Sequence, residues 1–107
     1  MNMQDMITLR SVGITVNDYG VPVETVTETD VYARVESISA SEFFAGGQNG
    51  LKPEFRFLVN AWEYSDEPDV EYNGKVYSVY RTYRRSLDLL ELYTERKVGR
   101  NGSEQGN

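Results

Sequence analysis

Apolar and polar side chains alternate in short runs along most of this 107-residue chain, and one long lapse, from Val35 to Phe57, interrupts the pattern. Side chains along a strand point to opposite faces in turn, so a run such as Val31-Tyr32-Ala33-Arg34-Val35 reads as a strand with one face buried. Phe55, Phe57, Val59 and Ala61 share one side of the segment 54–62, the most apolar of the runs and hence the one expected at the centre of the sheet. Further strands are expected over residues 6–16, 21–28, 31–38, 76–83 and 87–96. A phase change near Ser11 calls for a bulge in the first, and Pro22 places the second at a sheet edge or at a strand start. In the last, Leu87 and Leu89 fall in one phase and Leu90 and Leu92 in the other, which implies that both faces are covered.

The turns agree with this reading. Asn17-Asp18-Tyr19-Gly20 offers side-chain acceptors to the local backbone and a glycine for a left-handed residue, so the first two strands form a hairpin. Asn73-Gly74, between Tyr72 and Lys75, is the preferred pair for a two-residue type I′ hairpin. The expectation is a mainly β chain: a small antiparallel β-barrel or rolled sheet of about six strands, with one short helix and a long flexible loop. Residues 1–97 make the single domain, and the glycine-rich polar stretch 98–107 lacks the apolar area to order itself.

Within the lapse, Ser39-Ala40-Ser41-Glu42 has the spacing of a capping box, in which the Ser39 hydroxyl and the Glu42 carboxylate each accept a backbone N–H. Glycines and a proline then point to an early helix end, giving one or two helical turns followed by about ten flexible residues. Two parts are expected in the insert 39–53. Ser39, Glu42, Phe43 and Phe44 anchor an ordered foot, with the two phenylalanines in a core or a subunit contact. Ala45, Gly46, Gly47, Gln48, Asn49, Gly50, Leu51, Lys52 and Pro53 form the moving part. A long insert in so small a domain points to function.

Composition removes most catalytic chemistry. With no cysteine and no histidine there is no disulfide, no thiolate or imidazole metal ligand, no Ser-His or Cys nucleophile system and no imidazole base. Residues 63–71 carry five carboxylates without a basic residue, but their spacing matches no calcium loop, and a solvated acidic turn is the favoured reading. No enzyme, metal or cofactor is expected. The first five residues lack the character of a secretory leader, and no run has the length of a membrane span. A net charge of −6 opposes tight wrapping of phosphate backbones and suits a surface along which DNA slides. Arg81, Arg84 and Arg85, beside Tyr80 and Tyr83, could stack on bases, yet the favoured reading is a rim paired with carboxylates of this chain or of the next copy.

The order of these motifs resembles the tailed-phage head-tail joining family, the small head completion or stopper proteins of the phage neck. The resemblance runs over residues 6–97 and rests on three stretches. These are Asp18-Tyr19-Gly20 at the first turn, Val31-x-Ala33-x-Val35 leading to Ser41-Glu42-Phe43-Phe44, and Tyr72-Asn73-Gly74-Lys75-Val76-Tyr77-Ser78-Val79. It implies a hexameric or dodecameric ring beneath the portal and its adaptor, with a tail completion or tail tube protein below and the genome passing through without sequence-specific binding. It implies a virion location at the head–tail interface, with assembly in the bacterial cytoplasm, and a channel-closing role for residues 45–53. In such a ring the rim of Arg81, Arg84 and Arg85, read above from residue type and charge, supplies the candidate intersubunit contacts. One departure is that Phe57-Leu58-Val59-Asn60-Ala61 lacks the basic residues relatives often carry there. The competing readings are an adaptor or tail terminator of the same neck, a small barrel nucleic-acid-binding module, and an acidic decoy for a basic DNA-binding partner.

Overall fold

The computed structural model describes residues 3–97. Six strands, β1 (Asp5–Val16), β2 (Pro22–Ser37), β3 (Pro53–Asn60), β4 (Asp69–Tyr72), β5 (Lys75–Arg84) and β6 (Leu89–Arg96), surround the core. One helix, α1 (Ala40–Gln48), lies between β2 and β3 in the chain. The strands close into an antiparallel barrel in the order β1-β2-β3-β6-β5-β4. Closure depends on a short seam, in which Thr8, Leu9 and Arg10 of β1 pair with Glu71, Val70 and Asp69 of β4. Where strands are paired on both sides, no edge is left open to another chain. Residues 98–107, expected as a disordered tail, lie outside the described residues.

Alternation fills the barrel as the period of two requires. Ile7 and Leu9 of β1, Val31 and Ala33 of β2, Phe57 and Val59 of β3, Val70, Tyr77 and Leu92 form one buried cluster. Phe55 and Phe57 meet Tyr72 and Tyr77 edge to face, with centroids 5.4 Å apart for Phe55–Tyr77 and 5.5 Å for Phe57–Tyr72. Burying each such ring contributes on the order of 2 kcal/mol. β3 pairs with β2 on one side and β6 on the other, and Phe57, Leu58 and Val59 at its centre are fully buried, in keeping with the central place its composition calls for.

Both predicted turns form. Asn17 Oδ1 accepts from the N–H groups of Tyr19 and Val21, and Gly20 has φ of 77°. Asn73 and Gly74 have φ of 52° and 76°, the paired positive values of a type I′ turn.

Five local expectations are corrected. No bulge occurs at Ser11: β1 and β2 pair without a break from Asp5↔Ala33 to Val16↔Pro22, so 21–28 and 31–38 are one 16-residue strand. The phase change instead marks where the ribbon leaves the barrel and the core-facing side loses its core. The register shifts lie elsewhere, between Pro53 and Phe55 in β3 and between Val79 and Arg81 in β5. Strand β3 stops at Asn60, and Ala61–Glu63 forms a 3-10 turn, while Leu87 is exposed in the connection before β6. The acidic stretch 63–71 is not wholly solvated, because Glu67 and Asp69 are buried. The Glu67 carboxylate accepts the Ser65 N–H at 2.7 Å, and Asp69 pairs with Lys97 at 2.9 Å, which satisfies both groups.

Candidate functional site

Two features project from the barrel: the hairpin formed by the far halves of β1 and β2, and the insert carrying α1. The hairpin arises because β2 has 16 residues but pairs with β3 only from Arg34 to Ser37, and β1 pairs with β4 only from Thr8 to Arg10. Beyond these points the two strands have only each other, and the molecule reaches 49 Å in its longest dimension. Register fixes the two faces of this arm. Ile7 and Leu9 face the core, so Ser11, Gly13 and Thr15 continue that side, opposite Thr27, Thr25 and Val23. The other side carries Val12 opposite Val26, Ile14 opposite Glu24 and Val16 opposite Pro22. On that side Ile14 and Val16 are 66% and 67% exposed, and Val12 and Val26 are about half exposed. The arm therefore presents an apolar surface away from the core side.

The insert begins as the capping signal foretold and ends differently. Ser39 Oγ accepts the Glu42 N–H at 3.2 Å. The Glu42 carboxylate does not return to the backbone of its own turn. It accepts the Tyr80 hydroxyl at 2.7 Å and the Arg81 guanidinium at 2.5 Å, tying α1 to β5. Two consecutive residues can reach one carboxylate because the register slips between Val79 and Arg81, which sends both side chains outward. The Arg81 guanidinium then lies 3.8 Å over the Tyr93 ring. Burial, and then the bond to Glu42, push the Tyr80 hydroxyl well above the ordinary tyrosine range. Between α1 and β5 a cleft of about 310 Å³ is lined by Glu42, Ala45, Gly46, Asn49, Leu51, Tyr80 and Arg81.

The glycines do not end the helix at Ala45: α1 runs on through Gly46 and Gly47 to Gln48. Gly46 is buried against Pro53, and a side chain there would have no room. The end comes at Gly50, with φ of 80°, whose N–H donates to the Gly47 carbonyl, while the Leu51 N–H donates to that of Gly46. These are the two bonds of a Schellman motif, completed by Asn49 Nδ2 donating to the Ala45 carbonyl at 3.1 Å. Of the nine residues expected to form the moving part, the first four belong to α1 and Pro53 begins β3. Residues 49–52 are left as the connection, and the Lys52 N–H is fixed to Glu95 at 3.1 Å.

Phe43 and Phe44 do not enter the core. They are 52% and 67% exposed and touch each other edge to face at 5.9 Å. Glu42, Gly46 and Asn49 recur at helical spacing on the side of α1 turned to the barrel, which leaves the phenylalanines off it.

Of the three arginines singled out in the sequence, Arg81 pairs with Glu42 and Arg85 with both Glu36 and Glu91 at 2.7 Å. Arg84 donates to the Leu87 carbonyl at 2.9 Å. Glu36 also accepts Arg56 at 2.8 Å, and Tyr93 donates to Glu91 at 2.6 Å. This layer covers the outer faces of β2, β3 and β6, where Leu58, Glu91 and Tyr93 are buried. Burial alone would raise the Glu36 carboxyl, but hydrogen bonds from Arg85 and Arg56, with their charge, hold it below its ordinary value. Glu91 is lowered likewise, by Tyr93 and Arg85 against burial. Sequence reading missed Glu36, Arg56 and Glu91, because their meeting depends on strand order.

Among the described residues the cations are largely matched by the chain's own carboxylates, and exposed apolar side chains lie on the arm, on α1 and at Trp62 and Leu87 in the connections. Residues 1–95 match the phage head completion protein family, and the chain belongs to it. Members are structural proteins with a role where the phage head meets its tail. No curated protein matches the chain.

Proposed function

We propose that copies of this protein form a ring beneath the portal or its adaptor, hold the DNA channel closed after packaging, and offer the surface on which the tail attaches. Membership of the head completion family carries this reading. Its charge supports it: at −6 overall, with Arg56, Arg81 and Arg85 held by Glu36, Glu42 and Glu91, the wall repels phosphate, and DNA can pass without being gripped. The same pairing disfavours a nucleic-acid-binding module. The gate is α1 with the connection 49–52. Because hydrogen bonds tie Ala45, Gly46 and Gly47 to the residues that follow, residues 45–51 swing as one piece with the helix, and Gln48 and Lys52 meet neighbouring copies or phosphate at the axis. The partners are the portal or adaptor above and a tail completion or tail tube protein below.

The test is complementation of a phage lacking this gene. The wild-type chain restores full, tailed particles, whereas heads without it leak DNA and stay tailless. Replacing residues 48–52 by a Gly-Ser linker of the same length, which leaves Phe43 and Phe44 in place, should give particles that incorporate the protein and lose DNA. Full DNA retention by that variant before tail attachment overturns the gate, and full, tailed particles without the protein overturn the neck role.

A further inference from the structure

The arm and α1 are two exposed apolar surfaces at opposite ends of one strand. β2 begins at Pro22, at the arm's tip, and ends at Ser37, two residues before the cap of α1. Its length, ~50 Å at about 3.3 Å per residue, accounts for the 49 Å long axis. Within one chain these surfaces cannot meet. Each calls for a cover: the arm shows an apolar patch of a few hundred Å², and the exposed parts of Phe43 and Phe44 add roughly 200 Å² more.

We propose that the apolar face of the arm docks on Phe43 and Phe44 of a second copy, head to tail, and that this contact is the one that propagates the ring. It rests on the ring reading above and supplies that ring with its interface. Charge selects this arrangement over arm against arm. Residues 11–30 contain Asp18, Glu24, Glu28 and Asp30 and no lysine or arginine, so two arms side by side would juxtapose like charges. Arm against arm would also leave the phenylalanines uncovered. A contact between two different surfaces is heterologous and repeats, so it closes into a ring when the rotation allows. The patches together fall short of the ~1,200 Å² of a stable pair, so single contacts are weak, and the ring persists through closure and through its seat on the head.

The chain lacks cysteine, which makes disulfide trapping clean. Ile14 and Phe44 are both well exposed, so replacing them leaves the core intact. The double variant Ile14→Cys/Phe44→Cys, oxidised in concentrated solution and in assembled particles, should give a ladder of covalent oligomers. Ile14→Cys or Phe44→Cys alone should stay monomeric. Adding Val26→Lys, on the apolar face, should abolish the ladder, and Thr27→Lys, on the opposite face, should preserve it. The proposal is overturned if Ile14→Cys alone forms dimers as readily as the double variant, or if no ladder forms in either setting. Particles that incorporate the double variant and retain DNA but yield no ladder refute this interface and leave the neck role standing. A ladder from the double variant in solution, with the wild-type chain absent from assembled particles, refutes the neck role and leaves the interface.

Discussion

Gly46 and Gly47 stand side by side in α1, and alanine at the two positions should have opposite effects. A Cβ on Gly46 would fall 2.5 Å from Cγ and 3.1 Å from Cδ of Pro53, and 3.6 Å from Cβ of Leu51. The proline ring is fused to the backbone at the start of β3, so it cannot rotate aside, and either α1 or the strand must shift. Overpacking of this kind costs about 1–3 kcal/mol, against which alanine recovers at most about 1 kcal/mol of helix propensity. The net is a loss of about 1 kcal/mol or a helix displaced from the barrel. At Gly47 nothing lies within 4 Å, so the propensity gain of up to about 1 kcal/mol stands alone. Thermal unfolding should then separate Gly46→Ala from Gly47→Ala by roughly 10 °C, with the wild type between them. Hydrogen exchange at the Leu51 amide, which is bonded to the Gly46 carbonyl, should quicken in Gly46→Ala only. A Gly46→Ala protein that melts at or above the wild type, with that amide still protected, would refute the close approach of α1 to Pro53.

Three other outcomes follow from the geometry. Phe57→Ala, which empties the centre of the aromatic cluster, should cost about 3–5 kcal/mol in urea unfolding. Glu36→Gln removes the charge shared by Arg56 and Arg85 and should cost about 1–2 kcal/mol at neutral pH. Because Glu36 and Glu91 are held below the ordinary 4.5, their contribution is complete above that value and is lost as pH falls through their lowered folded values. Wild-type stability should accordingly fall in that acid range, and less steeply in Glu36→Gln, as followed by urea midpoints against pH. Tyr80→Phe deletes one of the two donors to Glu42 and should cost about 1 kcal/mol, seen as faster exchange in α1 with the barrel amides unchanged.

What could be read in the sequence was what adjacent residues decide. Asn73-Gly74 forces a turn and Ser39 caps a helix wherever the rest of the chain goes, and alternation put Val31, Ala33, Phe57 and Val59 on buried faces. Features that depend on distant residues were not legible. Gly46 looked like a flexible joint because nothing local shows that Pro53 packs against it. The helix end could have been placed at Gly50, since a glycine followed by an apolar residue is a Schellman signature, but Gly46-Gly47 offered a competing stop. Glu42 satisfied a local motif on paper and a long-range pair in the fold, because the slip in β5 brings Tyr80 and Arg81 to it. The phase change at Ser11 was visible, and its meaning depended on how far β4 extends along β1.

The arm raises a question of control that its composition answers. A two-stranded ribbon is marginal by itself, and one with open edges and an apolar face invites association with its own kind. Here the apolar pairs Val12–Val26 and Val16–Pro22 alternate with positions holding Glu24, and Glu28 at the arm's root is already spent on Arg10 at 2.8 Å. The carboxylate of Glu24 therefore lies in the middle of the face that two arms would have to share, where like charges oppose the contact. Against the aromatic rings of another copy, Glu24 meets no second arm carboxylate, and it can remain at the solvated rim. Glu24→Gln should thus favour arm-to-arm dimers at concentrations where the wild type is monomeric, detectable by sedimentation. In the Ile14→Cys background it should turn a monomeric protein into a disulfide dimer. If Glu24→Gln leaves both measurements unchanged, charge is not what keeps the arms apart, and the preference for α1 must be sought in shape alone.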